Sequence, residues 1–258
     1  MPSFPRELER LLQNNHTIGL VVPFAGNEVP LEGPIMYPGV RFIPRGGGVR
    51  ALTPEGYDPA WDGILPAADY LAQQNVNAIM VIGTSLTFYR GPQAHARLLE
   101  ELRERTGLPV GTMSQAIIDG LREVGAKRVP AATAYTEVVN RRLKELLAAA
   151  GIDVLSLEAF DLLEFGGPSK KSATEIIALS AAAVAKANAD RPAGAEAILI
   201  SCGGLRTLGV AQPLEASHGI PVVSSATAAF WAALRLVGES GHLAGYGRLF
   251  EQSREPVH

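Results

Sequence analysis

The stretch Ala78-Ile79-Met80-Val81-Ile82-Gly83-Thr84-Ser85-Leu86 has a counterpart in the second half of the chain, Ala197-Ile198-Leu199-Ile200-Ser201-Cys202-Gly203-Gly204-Leu205. Each copy starts as an apolar run of strand length and ends in a turn of small residues. A second pair follows in the same order and at similar spacing: Gly107-Leu108-Pro109-Val110 with Thr112, and Gly219-Ile220-Pro221-Val222 with Ser224. Internal repetition restricts the architecture to related units. Apolar strands resemble one another by chance, but two motif pairs in one order weigh against that alternative.

Further apolar runs of strand length at 17–22, 128–132, 154–157 and 221–224 join those at 78–83 and 197–201. They are continuous rather than alternating, as befits strands covered on both faces. Helix-like segments at 92–105, 114–124, 136–150, 172–188 and 227–237 lie between them. This alternation predicts an α/β fold of two pseudo-symmetric lobes, each a parallel sheet flanked by helices, with the active site between the lobes. The first lobe is expected to span 1–114 and to take back 221–258, and the second to span 115–220. Ligands bind beyond the carboxyl ends of parallel strands. The Gly83-Thr84-Ser85 and Cys202-Gly203-Gly204 turns, both at strand ends, should therefore face each other across a cleft.

Composition removes several classes of function. The 258 residues suffice for two lobes with real cores. The charge balance of 23 basic and 26 acidic residues shows no basic patch, so no nucleic-acid partner is expected. No apolar run is long enough to span a bilayer, and the opening Met1-Pro2-Ser3-Phe4-Pro5-Arg6-Glu7 lacks the order of a signal peptide. Cys202 is the sole cysteine, which excludes an intrachain disulfide, and the five histidines show no metal-ligand spacing. The expectation is a cytoplasmic protein without a metal.

Cys202 then becomes the focus. A lone cysteine is usually a small buried apolar residue, but two glycines follow this one, and their exposed amides can form a nest for an anion. A donor-rich turn beside a thiol suits the handling of a carboxylate or an enediolate. Thr84 and Ser85 offer hydroxyls at the opposite turn; capping of that turn is their ordinary role. Tyr135 reads equally as a donor to an oxyanion in the cleft or as a core phenol with one hydrogen bond. Arg45-Gly46-Gly47-Gly48-Val49-Arg50 lacks the features of a P-loop or dinucleotide fingerprint. It reads as a flexible loop over the cleft. Thr53-Pro54-Glu55-Gly56-Tyr57 reads as a helix entry without a chemical signal, and the segment after Phe250 as a loose polar tail.

Taken in order, several stretches resemble the arylmalonate decarboxylase family within the aspartate/glutamate racemase superfamily. In the first half they are Ile18-Gly19, Val22-Pro23, Val29-Pro30, Tyr37-Pro38, Thr53-Pro54-Glu55-Gly56-Tyr57, and Gly83-Thr84-Ser85-Leu86 with Phe88-Tyr89-Arg90-Gly91. The second half adds Ala132-Thr133-Ala134-Tyr135, Ser201-Cys202-Gly203-Gly204-Leu205, Pro221-Val222-Val223-Ser224-Ser225 and Gly245-Tyr246-Gly247-Arg248-Leu249-Phe250. The resemblance spans nearly the whole chain. It implies an Asp/Glu racemase-like fold and cofactor-free decarboxylation of a 2-substituted malonate, a small dicarboxylate. Thr84, Ser85, Tyr135 and the amides of Cys202 and Gly203 would hold the retained carboxylate, and Cys202 would protonate the planar carbon. Gly83 and Gly204 would flank the substrate. Pro23, Val49, Leu52, Leu86, Leu162 and Phe165 would surround the departing carboxylate.

The chemistry fits these residue types. Loss of CO2 places charge on the remaining carboxylate, and preset donors stabilise that enediolate more than the ground state. An aryl group spreads the charge, so no cofactor is expected. The turn amides lower the pKa of the thiol and a bound dianion raises it; the residues do not decide between them. Racemases and maleate isomerases of this superfamily generally carry two cysteines, one per lobe, whereas here Gly83 occupies the first position. Phe24 stands where the family has a second proline, and Glu28, Arg50 and Arg206 also depart from its pattern. Two rival readings remain: a racemase or maleate-isomerase-like enzyme acting on a small dicarboxylate, and a non-catalytic dicarboxylate-binding protein.

Overall fold

Among the described residues, which run over 16–190 and 194–252 of the computed structural model, eight strands form two four-stranded parallel sheets. The first sheet contains β1 (Thr17–Val22), β2 (Arg41–Gly46), β3 (Ala78–Val81) and β4 (Val110–Thr112), in the order β2-β1-β3-β4. The second contains β5 (Arg128–Thr133), β6 (Asp153–Ala159), β7 (Ile198–Ser201) and β8 (Val222–Ser224), in the order β6-β5-β7-β8. Adding four to each strand number converts one order into the other. The first repeated motif forms β3 and β7, the second forms β4 and β8, and the fold is the Asp/Glu racemase-like one expected.

Burial explains the strands. Every residue of β3 and β7 is buried, as the continuous apolar runs of central parallel strands require. β2 is different. Its sequence Arg-Phe-Ile-Pro-Arg-Gly has no continuous apolar run, and the expected strands omitted it. It lies at a sheet edge, where a proline is tolerated, and pairs with β1 from Thr17↔Arg41 to Val22↔Gly46.

The helices connecting these strands are α1 (Glu32–Met36), α2 (Pro54–Asp62), α3 (Ile64–Ala72), α4 (Thr84–Phe88), α5 (Pro92–Thr106) and α6 (Met113–Glu123) in the first half. The second half adds α7 (Glu137–Ala149), α8 (Ala173–Asp190), α9 (Ala211–His218), α10 (Ser225–Leu236) and α11 (Arg248–Glu251). The second motif of each repeat ends in a helix cap: Thr112 accepts from the Gln115 amide at 3.0 Å, and Ser224 from the Thr227 amide at 3.5 Å.

These two capped helices join the sheets. α6 leaves β4 and packs against β8, with Gly120 so close to Val223 that a Cβ there would lie 3.1 Å from a valine methyl. α10 leaves β8 and packs against α1, β3 and β4, and the two helices also pack on each other. The exchange between halves thus falls one element later than position 221: β8 stays paired with β7, and only the chain after it crosses to the first sheet.

The Gly46-Gly47-Gly48 stretch is not a free flap. Gly46 ends β2, and the amides of Gly47, Gly48 and Val49 donate to the carbonyls of Val22, Phe24 and Pro23 at 2.7, 3.0 and 2.8 Å. No helix among the described residues is long and apolar enough to cross a membrane. The opening stretch Met1 to Glu7 and the tail beyond Gln252 lie outside the described residues.

Candidate active site

The carboxyl ends of β3 and β7 run directly into the Gly83-Thr84-Ser85 and Cys202-Gly203-Gly204 turns. Gly83 has φ +122°, a conformation L side chains rarely adopt, and it lets α4 start immediately at Thr84. The two turns approach closely: a Cβ on Gly203 would lie 3.9 Å from Thr84 Oγ1 and 2.6 Å from Met113 Sδ. Any side chain at Gly203 would therefore collide with α6.

One pocket opens over both turns. It is lined from the first half by Pro23, Phe24, Val49, Leu52, Tyr57, Gly83, Thr84, Ser85 and Leu86, and from the second by Phe165, Pro168, Cys202, Gly203 and Gly204. It gives about 100 Å³ to the centres of water-sized molecules. An outer cleft beside Gln115, Asp119 and Arg235 is larger, at about 460 Å³, but it contains neither a thiol nor the strand-end turns. Chemistry rather than size selects the smaller pocket.

Its polar side chains are Tyr57, Thr84, Ser85, Ser169 and Cys202, and Ser169 Oγ donates to the Gly166 carbonyl at 2.9 Å. Thr84 Oγ1 and Tyr57 Oη are buried without a hydrogen-bond partner in the protein. Ser85 stands near Tyr57 and Thr84 near Tyr135, close enough to lower each phenol's pKa but outside hydrogen-bond geometry. A buried hydroxyl without a partner forfeits its hydration, at roughly 1–3 kcal/mol each, so two such groups beside one thiol form a site short of an acceptor. Burial also raises both phenol pKa values strongly, so Tyr57 and Tyr135 remain proton donors at neutral pH.

Cys202 is itself buried, at 5% exposure. Burial pushes its thiol up to about 11, against the opposing amides of Gly204 and Leu205 and the phenol of Tyr135. Without a bound dianion, desolvation outweighs the turn amides and favours the protonated sulfur.

The carbonyls behind the first turn are pinned. Thr87 Oγ1 lies 3.2 Å from the Gly83 carbonyl, 3.1 Å from that of Thr84 and 2.6 Å from Ser114 Oγ. Ser114 Oγ donates to the Thr84 carbonyl at 2.8 Å. This buried network links α4 to the start of α6.

Eleven of the thirteen residues expected in the site line the pocket: Cys202, Thr84, Ser85, Gly203, Pro23, Val49, Leu52, Gly83, Leu86, Phe165 and Gly204. Tyr135 stands behind it, fully buried, with its hydroxyl 3.3 Å from Ser201 Oγ. Leu162 does not line it. The Leu162 amide donates to the Ala134 carbonyl at 2.9 Å, and its side chain packs on Gly167, 3.4 Å from where a Cβ would stand. Glu28, Arg50 and Arg206 are exposed and outside the lining, and Arg206 acts on the buried carboxyl of Glu32 instead.

Seven lining residues fall outside the expected set: Phe24, Pro30, Tyr57, Ile82, Gly166, Pro168 and Ser169. Tyr57 sits in the second turn of α2, after the Thr53 cap, and only its place within a family-like stretch could have drawn attention. Among the described residues no three His, Cys, Asp or Glu side chains are grouped to hold a metal ion.

Comparison with known proteins shows the family of the chain. The family model described as arylmalonate decarboxylase matches residues 18–250. Arylmalonate decarboxylase of Bordetella bronchiseptica is 39% identical over 238 residues, covering 92% of this chain and 97% of that protein. A maleate isomerase of Nocardia farcinica (strain IFM 10152) is 28% identical over 257 residues, covering 91% and 95%. Among solved structures, a double mutant of arylmalonate decarboxylase in the liganded form superposes with a TM-score of 0.87 at 38% identity, over 93% of this chain and 100% of that one. The chain belongs to the arylmalonate decarboxylase family, whose members are carboxy-lyases.

Proposed function

We propose that this protein decarboxylates 2-aryl malonates to 2-arylcarboxylic acids without a cofactor, through an enediolate that Cys202 protonates. One observation carries the reading: a single protonated thiol shares an otherwise apolar pocket with buried hydroxyls that have no protein partner.

In the proposed reaction, the retained carboxylate accepts hydrogen bonds from Thr84, Ser85 and the amides of the Cys202-Gly203 turn, with the phenols of Tyr57 and Tyr135 completing the donor set. The second carboxylate lies against Pro23, Val49, Leu52 and Leu86, where an anion is poorly solvated and neutral CO2 is not. The bond between the α carbon and this carboxylate breaks, and its electron pair passes into the retained carboxylate as an enediolate. Loss of one donor from such a set typically costs about 100- to 1,000-fold in rate.

The Cys202 Sγ–H bond then breaks, its proton forms the new C–H bond, and the resulting thiolate takes a proton from solvent. The amides of Gly204 and Leu205 and the Tyr135 phenol, which already favour the anionic sulfur, stabilise it meanwhile. Protonation comes from one face, because Gly83 supplies no acid on the other.

The test is incubation of metal-stripped protein with phenylmalonate and methyl-phenylmalonate, following CO2 and product chirality. Release of CO2 with one product enantiomer, abolished in a folded Cys202→Ala variant, is the expected result. An unchanged rate in that variant removes Cys202 from the mechanism. Fumarate from maleate without CO2 would indicate an isomerase, and ligand-induced stabilisation without turnover a binding protein.

A further inference from the structure

Two aromatic rings close the pocket from opposite halves of the chain. Phe24, just after β1, and Phe165, in the loop after β6, meet edge to face with centroids 6.1 Å apart and planes at 70°. Both line the cavity that contains Cys202 and Thr84. At that separation the rings are in mutual contact and no third ring passes between them.

Backbone clamps hold the two loops that carry these rings. The Phe24 carbonyl accepts from the Gly48 amide at 3.0 Å, and Asn27 Oδ1, from the same loop, accepts from the Gly46 amide at 2.9 Å. A Cβ on Gly46 would lie 2.7, 2.8 and 2.9 Å from the carbonyl oxygens of Gly26, Phe24 and Ala25. The glycine run is thus the bed on which the Phe24 loop rests, which explains a motif that matches no phosphate-binding fingerprint. On the other side, the Leu163 carbonyl accepts from the Leu52 amide at 2.9 Å, and Ala51 and Glu164 form an antiparallel bridge. The Phe165 loop is therefore stitched to the first half of the chain.

We infer that Phe24 is a specificity-determining residue: with Phe165 it forms an aromatic roof that discriminates by size among ring substituents on the α carbon, favouring a single ring over a fused pair. The inference rests on the decarboxylase reading for its substrate. A preformed wall discriminates by shape, and misfit of a group as small as a methylene typically changes kcat/KM by about 10- to 200-fold.

The experiment compares kcat/KM for phenylmalonate and 2-naphthylmalonate in the unsubstituted protein, in Phe24→Ala and in Phe165→Ala. The unsubstituted protein should favour phenylmalonate by at least about tenfold, and each variant should cut that preference by about tenfold or more. Melting temperatures confirm that the variants fold, and the two substitutions on opposite halves test one roof independently. A preference unchanged within about twofold in both folded variants overturns the inference. Should the unsubstituted protein release no CO2 from phenylmalonate, the decarboxylase reading fails. The roof is then judged by calorimetric Kd values for phenylacetate and 2-naphthylacetate. The same shift in their ratio sustains the roof; an unshifted ratio, or no binding of either acid, overturns it.

Discussion

Titration of the Cys202 thiol tests the electrostatics of the site without reference to any substrate. The side chain is 5% exposed, and burial moves its pKa from 9.0 to about 11 despite three groups that favour the anion. This corresponds to about 3 kcal/mol against the thiolate and to a roughly hundredfold smaller anionic fraction at neutral pH. Because the chain has one cysteine, alkylation by iodoacetamide, followed by intact-mass measurement, reports this sulfur alone. Burial also slows reagent access, so the inflection of rate against pH is the quantity to read. It should fall near pH 11. An inflection at or below about 8.5 would show that the Gly204 and Leu205 amides dominate, refuting the argument from desolvation. The same shift has a stability consequence. The folded pKa lies above the unfolded one, so the contribution of the neutral thiol is complete below pH 9.0 and is lost as pH rises through about 11. Between those values the protein should lose up to about 3 kcal/mol that a Cys202→Ala variant does not lose.

Gly83→Cys should create exchange of the α proton of 2-phenylpropionate with D2O, detected by NMR, because a side chain there enters the same pocket as Cys202. Its Cβ would lie 3.2 Å from Leu86 Cβ and 3.7 Å from Pro23 Cβ at φ +122°, so the variant should fold with about 1–3 kcal/mol of strain. Absence of exchange in the folded variant would sink the facing-turn geometry. Thr87→Val removes the hydroxyl that bridges the Gly83 and Thr84 carbonyls to Ser114; kcat should fall about tenfold with KM nearly constant, and Thr87→Ser should restore it. A loss of melting temperature with kcat intact would reduce Thr87 to a structural role. Gly46→Ala should destabilise by about 1–3 kcal/mol in urea unfolding, since three carbonyls crowd the new methyl. Gly48→Ala meets no atom within 4 Å and should cost only about 1 kcal/mol for its φ of +70°. Equal losses at the two positions would contradict the bed described for Phe24.

The central strands and the two site turns were legible because their information is local. Apolar continuity marks β1, β3, β5 and β7, and the small residues after β3 and β7 mark where each chain must turn. The repeat converts these local signals into a statement about two units. β2 escaped because an edge strand with Pro44 and two arginines carries no apolar run, and its place is set by pairing with β1. The family resemblance puts Leu162 in the pocket, but whether a side chain faces the cavity or Gly167 depends on how that loop pairs with Ala134.

The remaining features belong to contacts between distant segments. The thiol's pKa follows from how completely both halves exclude water from Cys202, and no run of residues encodes a desolvation energy. Tyr57 becomes a donor only because folding strips its hydroxyl of partners. The glycine run acquires meaning only when the Phe24 loop lies on it. Sequence by itself determined the strand pattern, the repetition and the placing of the single thiol in a turn at a strand end, since these depend on neighbours along the chain. Tertiary structure decided which hydroxyls lack partners, which rings close the pocket and which proton the sulfur keeps, because burial and packing are properties of surfaces that meet only after the chain has folded.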